Sequence, residues 1–273
     1  MVFYFIVLLF FLLIFYLLKC YWLTNRNKSI NIFDNKTEYK VNLKIIPKDI
    51  ILTIKDKSKI PSYIFDQYNQ YAKNYNLIIF DDNDCIEFLK KEYGNEYVNK
   101  FNNIELGAHK ADFFRYAYLY KYGGIYLDVK TLLLKNIDEI FKQKNEIFYM
   151  IYTFTDYPNN RPMIYNGIIA TYPKNPYIRK LLEQSYQRTD LSNYHSNLID
   201  ATNILKNDLI DENIHMGVNK LKNNLDVRIF KEDIRPRSEC TRLDRWGFCT
   251  FVKNENDEQL FRVRDPNYTT NYN

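Results

Sequence analysis

Glycine and proline are scarce in this 273-residue chain, at seven and eight residues, and no segment repeats at a fixed period. This argues against repeat arrays and against extended disorder. Charge of one sign is never massed either. Basic residues exceed acidic ones by five, but the two kinds are interspersed, so there is no basic arm of the kind that grips nucleic acid. The cysteines are few: Cys20, Cys85, Cys240 and Cys249, with no C-x-x-C pair. That argues against a zinc ribbon or a thioredoxin-type centre. Cys240 and Cys249 either pair, in an oxidising lumen, or stand as free thiols. The G-x-S-x-G, H-E-x-x-H and P-loop patterns are absent, which removes the main hydrolase and nucleotidase classes.

Aromatic side chains are abundant. Tyr and Phe supply most of a 17% aromatic share, ample material for one sizeable core. Val2 to Leu18 is an unbroken apolar run that resumes after Lys19 through Leu23. A helix of that length crosses the ~30 Å of membrane hydrocarbon, with Tyr21 and Trp22 at the interface. A cleaved signal peptide needs a basic leading region and a small-residue cleavage site, and neither is present. The expected organisation is therefore a single-pass anchor over 1–23, a polar stem over 24–43 and a folded body over 44–273. Orientation stays open. Lys19, Arg26 and Lys28 follow the span and favour a cytosolic flank, whereas a lumenal enzyme needs the reverse. Sequons at Asn27, Asn35 and Asn267 do not decide it, because so Asn-rich a chain contains a few by chance.

In the body, Ile45–Ile54 and Leu77–Phe80 read as strands, and 61–73 reads as a helix. Asp81 to Asp84 supply capping residues for a helix over CIEFLKKEY. Gly107 to Lys121 reads as a helix, stopped by Gly123 and followed by a strand GIYLDVKTLLL that delivers Asp128 at or near its end. Strands over 147–153 and 163–170, helices over 175–187 and 198–209, and a C-terminal hairpin of GFCTFVK and QLFRVR complete the reading. The alternation predicts an α/β fold with a mainly parallel sheet flanked by helices. In such folds ligands gather at the carboxyl ends of strands, where Asp128 is expected.

Asp112 and Arg115 are three apart on one helix face. Alone they read as an ion pair on a solvated surface. Followed by the glycine pair and a strand ending in Asp128, they read instead as part of a cluster at one sheet edge. The run G-A-H-K-A-D-x-x-R-Y-x-x-L-Y-x-Y-G-G-I-Y-L-D, residues 107–128, resembles the signature of the DXD-containing sugar transferases of glycosyltransferase family 32. The resemblance extends from Ile46 through the FDDNDC segment to Tyr165-Asn166-Gly167-Ile168-Ile169-Ala170 and YPKNP, about half the chain. It implies a GT-A-like fold and transfer of a sugar, with retention, from a nucleotide-sugar donor to a glycan, protein or lipid acceptor, assisted by Mn²⁺. It further implies that Asp112 and Arg115 contact the donor's ribose and sugar, and that Tyr126 lies beside the nucleotide. Asp128 would be the first acid of the DXD motif, reaching metal or sugar, with Asn166 and Gly167 lining the sugar side. The anchor would hold the enzyme at a Golgi, endoplasmic-reticulum or viral-type membrane.

The chain departs from that pattern at Lys130, which replaces the second acid and gives D-V-K. An ammonium there removes a metal ligand and supplies a cation for the diphosphate. If 128 and 130 lie on one strand they share a face, which would make Lys130 a working residue. If Lys130 points away, another acid such as Asp244 or Asp265 completes a metal site. The same departure fits a second reading, a membrane-tethered sugar- or nucleotide-binding protein without catalysis. Four weaker features have plainer readings beside their functional ones. His215-x-Gly217-x-x-Lys220 is a loop, His109 a helix-start residue, Asp81 and Asp82 helix caps, and Arg245 with Trp246 an acceptor surface or satellite core.

Overall fold

The computed structural model describes residues 44–142, 147–155, 161–190, 192–243 and 247–264. The chain divides into two units, Met1–Lys40 and Val41–Asn273. The expected anchor and stem lie outside the described residues. Among the described residues no helix is long and apolar enough to cross a membrane.

The first strand, β1 (Asp49–Thr53), begins two residues after Pro47, which cannot donate to a ladder. Helix α1 (Ser62–Tyr71) starts behind Pro61 and buries Ile64 and Tyr68. Strand β2 (Asn76–Phe80) pairs parallel to β1. The acidic run then caps α2 (Asp82–Tyr93): Asp81 accepts from the Asp84 amide and Asp84 from the Asp81 amide, a reciprocal capping box. After α3 (Asn95–Asn102) comes α4 (Gly107–Tyr122), buried from His109 to Leu119 apart from Lys110 and Ala111. Strands β3 (Gly124–Leu127) and β4 (Leu132–Leu133) and the one-turn α5 (Ile137–Ile140) follow. The second half comprises β5 (Ile147–Thr155), β6 (Arg161–Thr171), α6 (Pro176–Gln187), α7 (Ser196–Asp208), β7 (Gly217–Lys220) and β8 (Asp226–Arg235). It ends with β9 (Cys249–Lys253) and β10 (Gln259–Val263).

The strands form one sheet of order β2-β1-β3-β6-β5-β8-β9-β10-β4, with β7 also on β8. One core lies between the sheet and α2, α3, α4, α6 and α7. On the opposite face, Ile64 and Tyr68 of α1 share a core with Ile50, Ile125, Phe230, Phe261 and Val263. The α/β class holds, but the sheet is mixed rather than mainly parallel. Only β1–β2, β1–β3 and β5–β8 are parallel; the other six pairings are antiparallel. For the hairpins β5–β6, β7–β8 and β9–β10 the cause is the short chain between strands. Five residues join β5 to β6, and a parallel crossover needs about a dozen. The predicted C-terminal hairpin is present as β9 and β10. Cys240 and Cys249 are joined by a disulfide, and Cys85 is a buried free thiol.

The glycine pair sets the step from α4 into β3. Gly123 (φ +68°) donates to Leu119 O, and a Cβ on it would lie 2.7 Å from Pro173 N. Gly124 (φ +109°) has room for no Cβ either, with Ile51 Cδ1 at 2.8 Å and Asp49 O at 2.9 Å. Only glycine lets β3 turn back against β1 so soon after the helix.

Candidate active site

Helix α4 is buried on most of its circumference, so its charged residues must be satisfied inside the protein. Asp112 and Arg115 are 5% and 4% exposed, which rules out the solvated ion pair. Arg115 is the hub. Its Nη1 lies 3.4 Å from Asp112 Oδ1 and donates to the Asn166 carbonyl. Its Nη2 lies 3.4 Å from Asp128 Oδ1, and its Nε donates to Ala111 O at 3.2 Å. The guanidinium sits 4.1 Å from the centre of the Tyr126 ring, a cation–π contact. Burial alone would lower the Arg115 pKa, but Tyr126, Asp112 and Asp128 outweigh it and raise it. Burial raises the Asp112 pKa, against the pull of Arg115 and of Asn197, whose amide donates to Asp112 Oδ2 at 2.8 Å.

Asp128 stands one residue beyond β3, at the strand's carboxyl end as predicted. The predicted continuous strand is broken there. Thr131 N donates to Asp128 O at 2.8 Å, closing a turn over 128–131 before β4. Strand alternation therefore does not bring Lys130 to Asp128; the turn does, with Lys130 Nζ 4.0 Å from Asp128 Oδ2. The Lys130 side chain is 41% exposed, so its ammonium can reach a ligand.

The third side comes from β6. Tyr165 OH donates to Asp128 Oδ2 at 2.9 Å. Its ring folds over Gly167 so closely that a Cβ there would meet Tyr165 Cζ at 2.2 Å. Pairing of β6 with β5 slips between Tyr165 and Ala170, and Asn166 and Gly167 sit in this irregular stretch. Asn166 is 1% exposed, yet neither its carboxamide nitrogen nor its oxygen has a partner. Tyr126 OH bridges Thr53 Oγ1 at 2.7 Å and Asp128 Oδ1 at 3.4 Å. The structure thus gathers Asp112, Arg115, Tyr126, Asp128, Lys130, Asn166 and Gly167 around one sheet edge.

Several neighbours were given no role by the sequence pattern. Tyr165 and Asn197 are second partners of the two aspartates. Tyr194, an exposed residue, is brought to the start of α4 by its carbonyl, which lies against the His109 ring. The weaker candidates take their plainer readings. Asp81 caps α2, and Lys57 pairs with Asp84 and Asp81. His215 pairs with Asp211 on an exposed surface, and Lys220 pairs with Asp226. His109 is buried, its Nε2 3.2 Å from Tyr194 O. Asp244, Arg245, Trp246 and Asp265 lie outside the described residues.

The Mn²⁺ that the resemblance implies needs hard oxygen ligands. Asp128 is ringed by the donors Arg115, Tyr126, Tyr165 and Lys130, and no group of three His, Cys, Asp or Glu side chains converges among the described residues. These residues do not by themselves fit a divalent cation.

A buried Arg–carboxylate hub at the carboxyl end of a parallel strand, beside an unpartnered carboxamide, defines a polar ligand site of an α/β protein. Residues 58–147 match the family described as "Glycosyltransferase sugar-binding region containing DXD motif". An uncharacterized glycosyltransferase of Acanthamoeba polyphaga mimivirus is 33% identical over 133 residues, 45% of this chain and 46% of that protein. The initiation-specific alpha-1,6-mannosyltransferase of Saccharomyces cerevisiae is 37% identical over 70 residues, 25% of this chain and 15% of that one. Among solved structures, the PaToxG glycosyltransferase superposes with a TM-score of 0.45 at 18% identity, over 61% of this chain and 71% of that one. Residues 58–147 are thus similar to a DXD-type sugar-binding region, in line with the resemblance read from the sequence. The matches span under half the length of these two curated relatives.

Proposed function

We propose that this chain is a glycosyltransferase of GT-A-like architecture. It moves a sugar, with retention, from a nucleotide-sugar donor to a glycan, protein or lipid acceptor. The observation that carries the reading is the Asp112–Arg115–Asp128 hub with the unsatisfied Asn166 carboxamide beside it. A buried amide with both ends open is expensive unless a ligand completes it, and a sugar's hydroxyls offer both a donor and an acceptor.

In this reading Asn166 and Asp112 bind sugar or ribose hydroxyls, and Tyr126 flanks the nucleotide. Gly167 gives Tyr165 room to hold Asp128 toward the sugar. Arg115 holds the two carboxylates in place. Lys130 swings from Asp128 to the diphosphate, where a cation aimed at developing negative charge is worth several kcal/mol of barrier. Residues 2–23 tether the enzyme to a membrane.

The test is turnover of labelled nucleotide-sugars, UDP- and GDP-linked, with and without chelator. Wild-type turnover should survive chelation. Lys130→Ala should lower kcat by about 10²-fold or more, while Lys130→Asp should become dependent on added Mn²⁺. Loss of wild-type activity on chelation, with a mild Lys130→Ala, would instead assign the charge to a metal held by Asp128 and Asp244 or Asp265. Donor binding without turnover would mark a sugar-binding protein. It would appear as a thermal shift, about 2.7 kcal/mol of added stability at 100 times the dissociation constant.

A further inference from the structure

Helix α1 reaches the turn that carries Asp128 and Lys130. Gln67 follows the buried Ile64 by three residues, on the same helix face. Its carboxamide makes two hydrogen bonds of opposite sense. Nε2 donates to Thr131 O at 3.2 Å, and Leu133 N donates to Oε1 at 2.8 Å. The backbone groups of successive residues in a strand face opposite edges. Strand β4 closes the sheet order with β10 beside it, and Leu134 N donates to Leu260 O on that side. Thr131 O and Leu133 N therefore face the outer edge, where a further strand would supply a peptide group. The Gln67 carboxamide takes the place of that group, with one donor and one acceptor in a plane.

Within the turn the side chains are sorted. Val129 is 7% exposed and shares a core with Ile64 and Tyr68 of α1. Asp128 and Lys130, on either side of it, keep side chains that are 19% and 41% exposed. Asp128 is framed by Arg115, Tyr126 and Tyr165. Lys130 is held more loosely, with its ammonium 4.0 Å from Asp128 Oδ2, beyond hydrogen-bond length. Its aim is set by the backbone from which its stem starts. The bond from Thr131 N to Asp128 O closes the turn. The Thr131 hydroxyl is buried without a partner and adds no tie. The two Gln67 bonds fix the outgoing end.

We propose that Gln67 is a positioning residue of the sugar transfer, whose carboxamide fixes the backbone from which Lys130 reaches the donor diphosphate. The inference rests on the transferase reading above. Gln67 touches no reacting atom in this scheme and acts through Lys130.

The experiment follows turnover of labelled UDP- and GDP-sugars by the full chain, with kcat counted per folded molecule. Gln67→Ala leaves Thr131 O and Leu133 N without their clasp. It should lower kcat by about 10- to 10²-fold, the scale of a misplacement by an ångström. In a Lys130→Ala background the same change should cost less than about threefold, because the group it aims is gone. Losses that multiply in the double variant would overturn the proposal. Gln67→Glu gives an independent reading should the alanine variant fold poorly. The carboxylate of that variant accepts from Leu133 N but cannot donate to Thr131 O, whereas its protonated form restores both bonds. Its kcat, relative to wild type at the same pH, should therefore rise as pH falls through about 4–5, the ordinary carboxyl range. A ratio that stays flat with pH would overturn the proposal. So would a Gln67→Ala protein of lower Tm and unchanged kcat, the mark of a purely structural clasp. Wild-type protein inert toward every donor would overturn the transferase reading and this inference with it. Wild-type turnover with unaffected variants overturns this inference alone.

Discussion

Gly167 shows how little a binding site can depend on what a residue contributes and how much on what it omits. No hydrogen bond from a Gly167 side chain exists to be lost, yet a methyl group there would overlap the Tyr165 ring. Because that ring carries the hydroxyl that fixes Asp128 Oδ2, Gly167→Ala should push Tyr165 aside and release Asp128. The ring end can swing outward, so the fold should survive, with a stability change of about 1 kcal/mol. Catalysis should fall further, about tenfold or more, because misplacement by an ångström weakens orientation. Parallel measurement of Tm and kcat separates the two; a large drop in Tm with unchanged kcat per folded molecule would refute the assignment. Tyr165→Phe should reproduce the catalytic loss without steric conflict, which makes the hydroxyl, rather than the ring, the operative group.

Helix α4 and the glycine step behind it carry the largest share of the site, and they were also the most legible part of the sequence. Asp112, Arg115 and Asp128 lie within one local run whose spacing predicts a helix, a glycine stop and a strand, and all three features are present. The α2 cap was readable for the same reason: its reciprocal bonds span three residues. What the sequence hid was brought in by distant pairing. Strand β8 mixes apolar residues with Arg, Lys, Glu and Asp without a clean two-residue period. Its character as a strand comes from β5 on one side and β7 and β9 on the other, so it could not be placed beforehand. Lys130 was linked to Asp128 for a reason that does not hold, since a turn and not a shared strand face joins them. The glycine step allows a sharp test. Gly124→Ala asks an L-residue to adopt φ +109° with Ile51 and Asp49 in contact. It should cost about 1–3 kcal/mol, read as a lower denaturation midpoint. A neutral result would mean that β1 and β3 can separate without penalty.

Across the whole molecule, the proposed tether and the folded body should be separable in their solvent behaviour. Full-length protein should sediment with membranes and resist alkaline extraction, and removal of residues 1–23 should release it; sedimentation unchanged by the deletion would dismiss the anchor. The sheet order has a different kind of consequence, one of timing. Strand β3 lies between β1, made earlier, and β6, made later; Leu127 meets Ile168 only after about 40 more residues have been added. At about 5–20 residues per second, the nascent chain spends roughly 2–8 s with one edge of β3 open. During that interval the charged hub of α4 also lacks its Asn166 and Asn197 partners. An unpaired edge beside unsatisfied charge is a target for mispairing between neighbouring chains on a polysome. The geometry that assembles the site thus makes its synthesis a vulnerable period, and added holdase capacity, which covers the open edge during that interval, should raise the yield of folded chain.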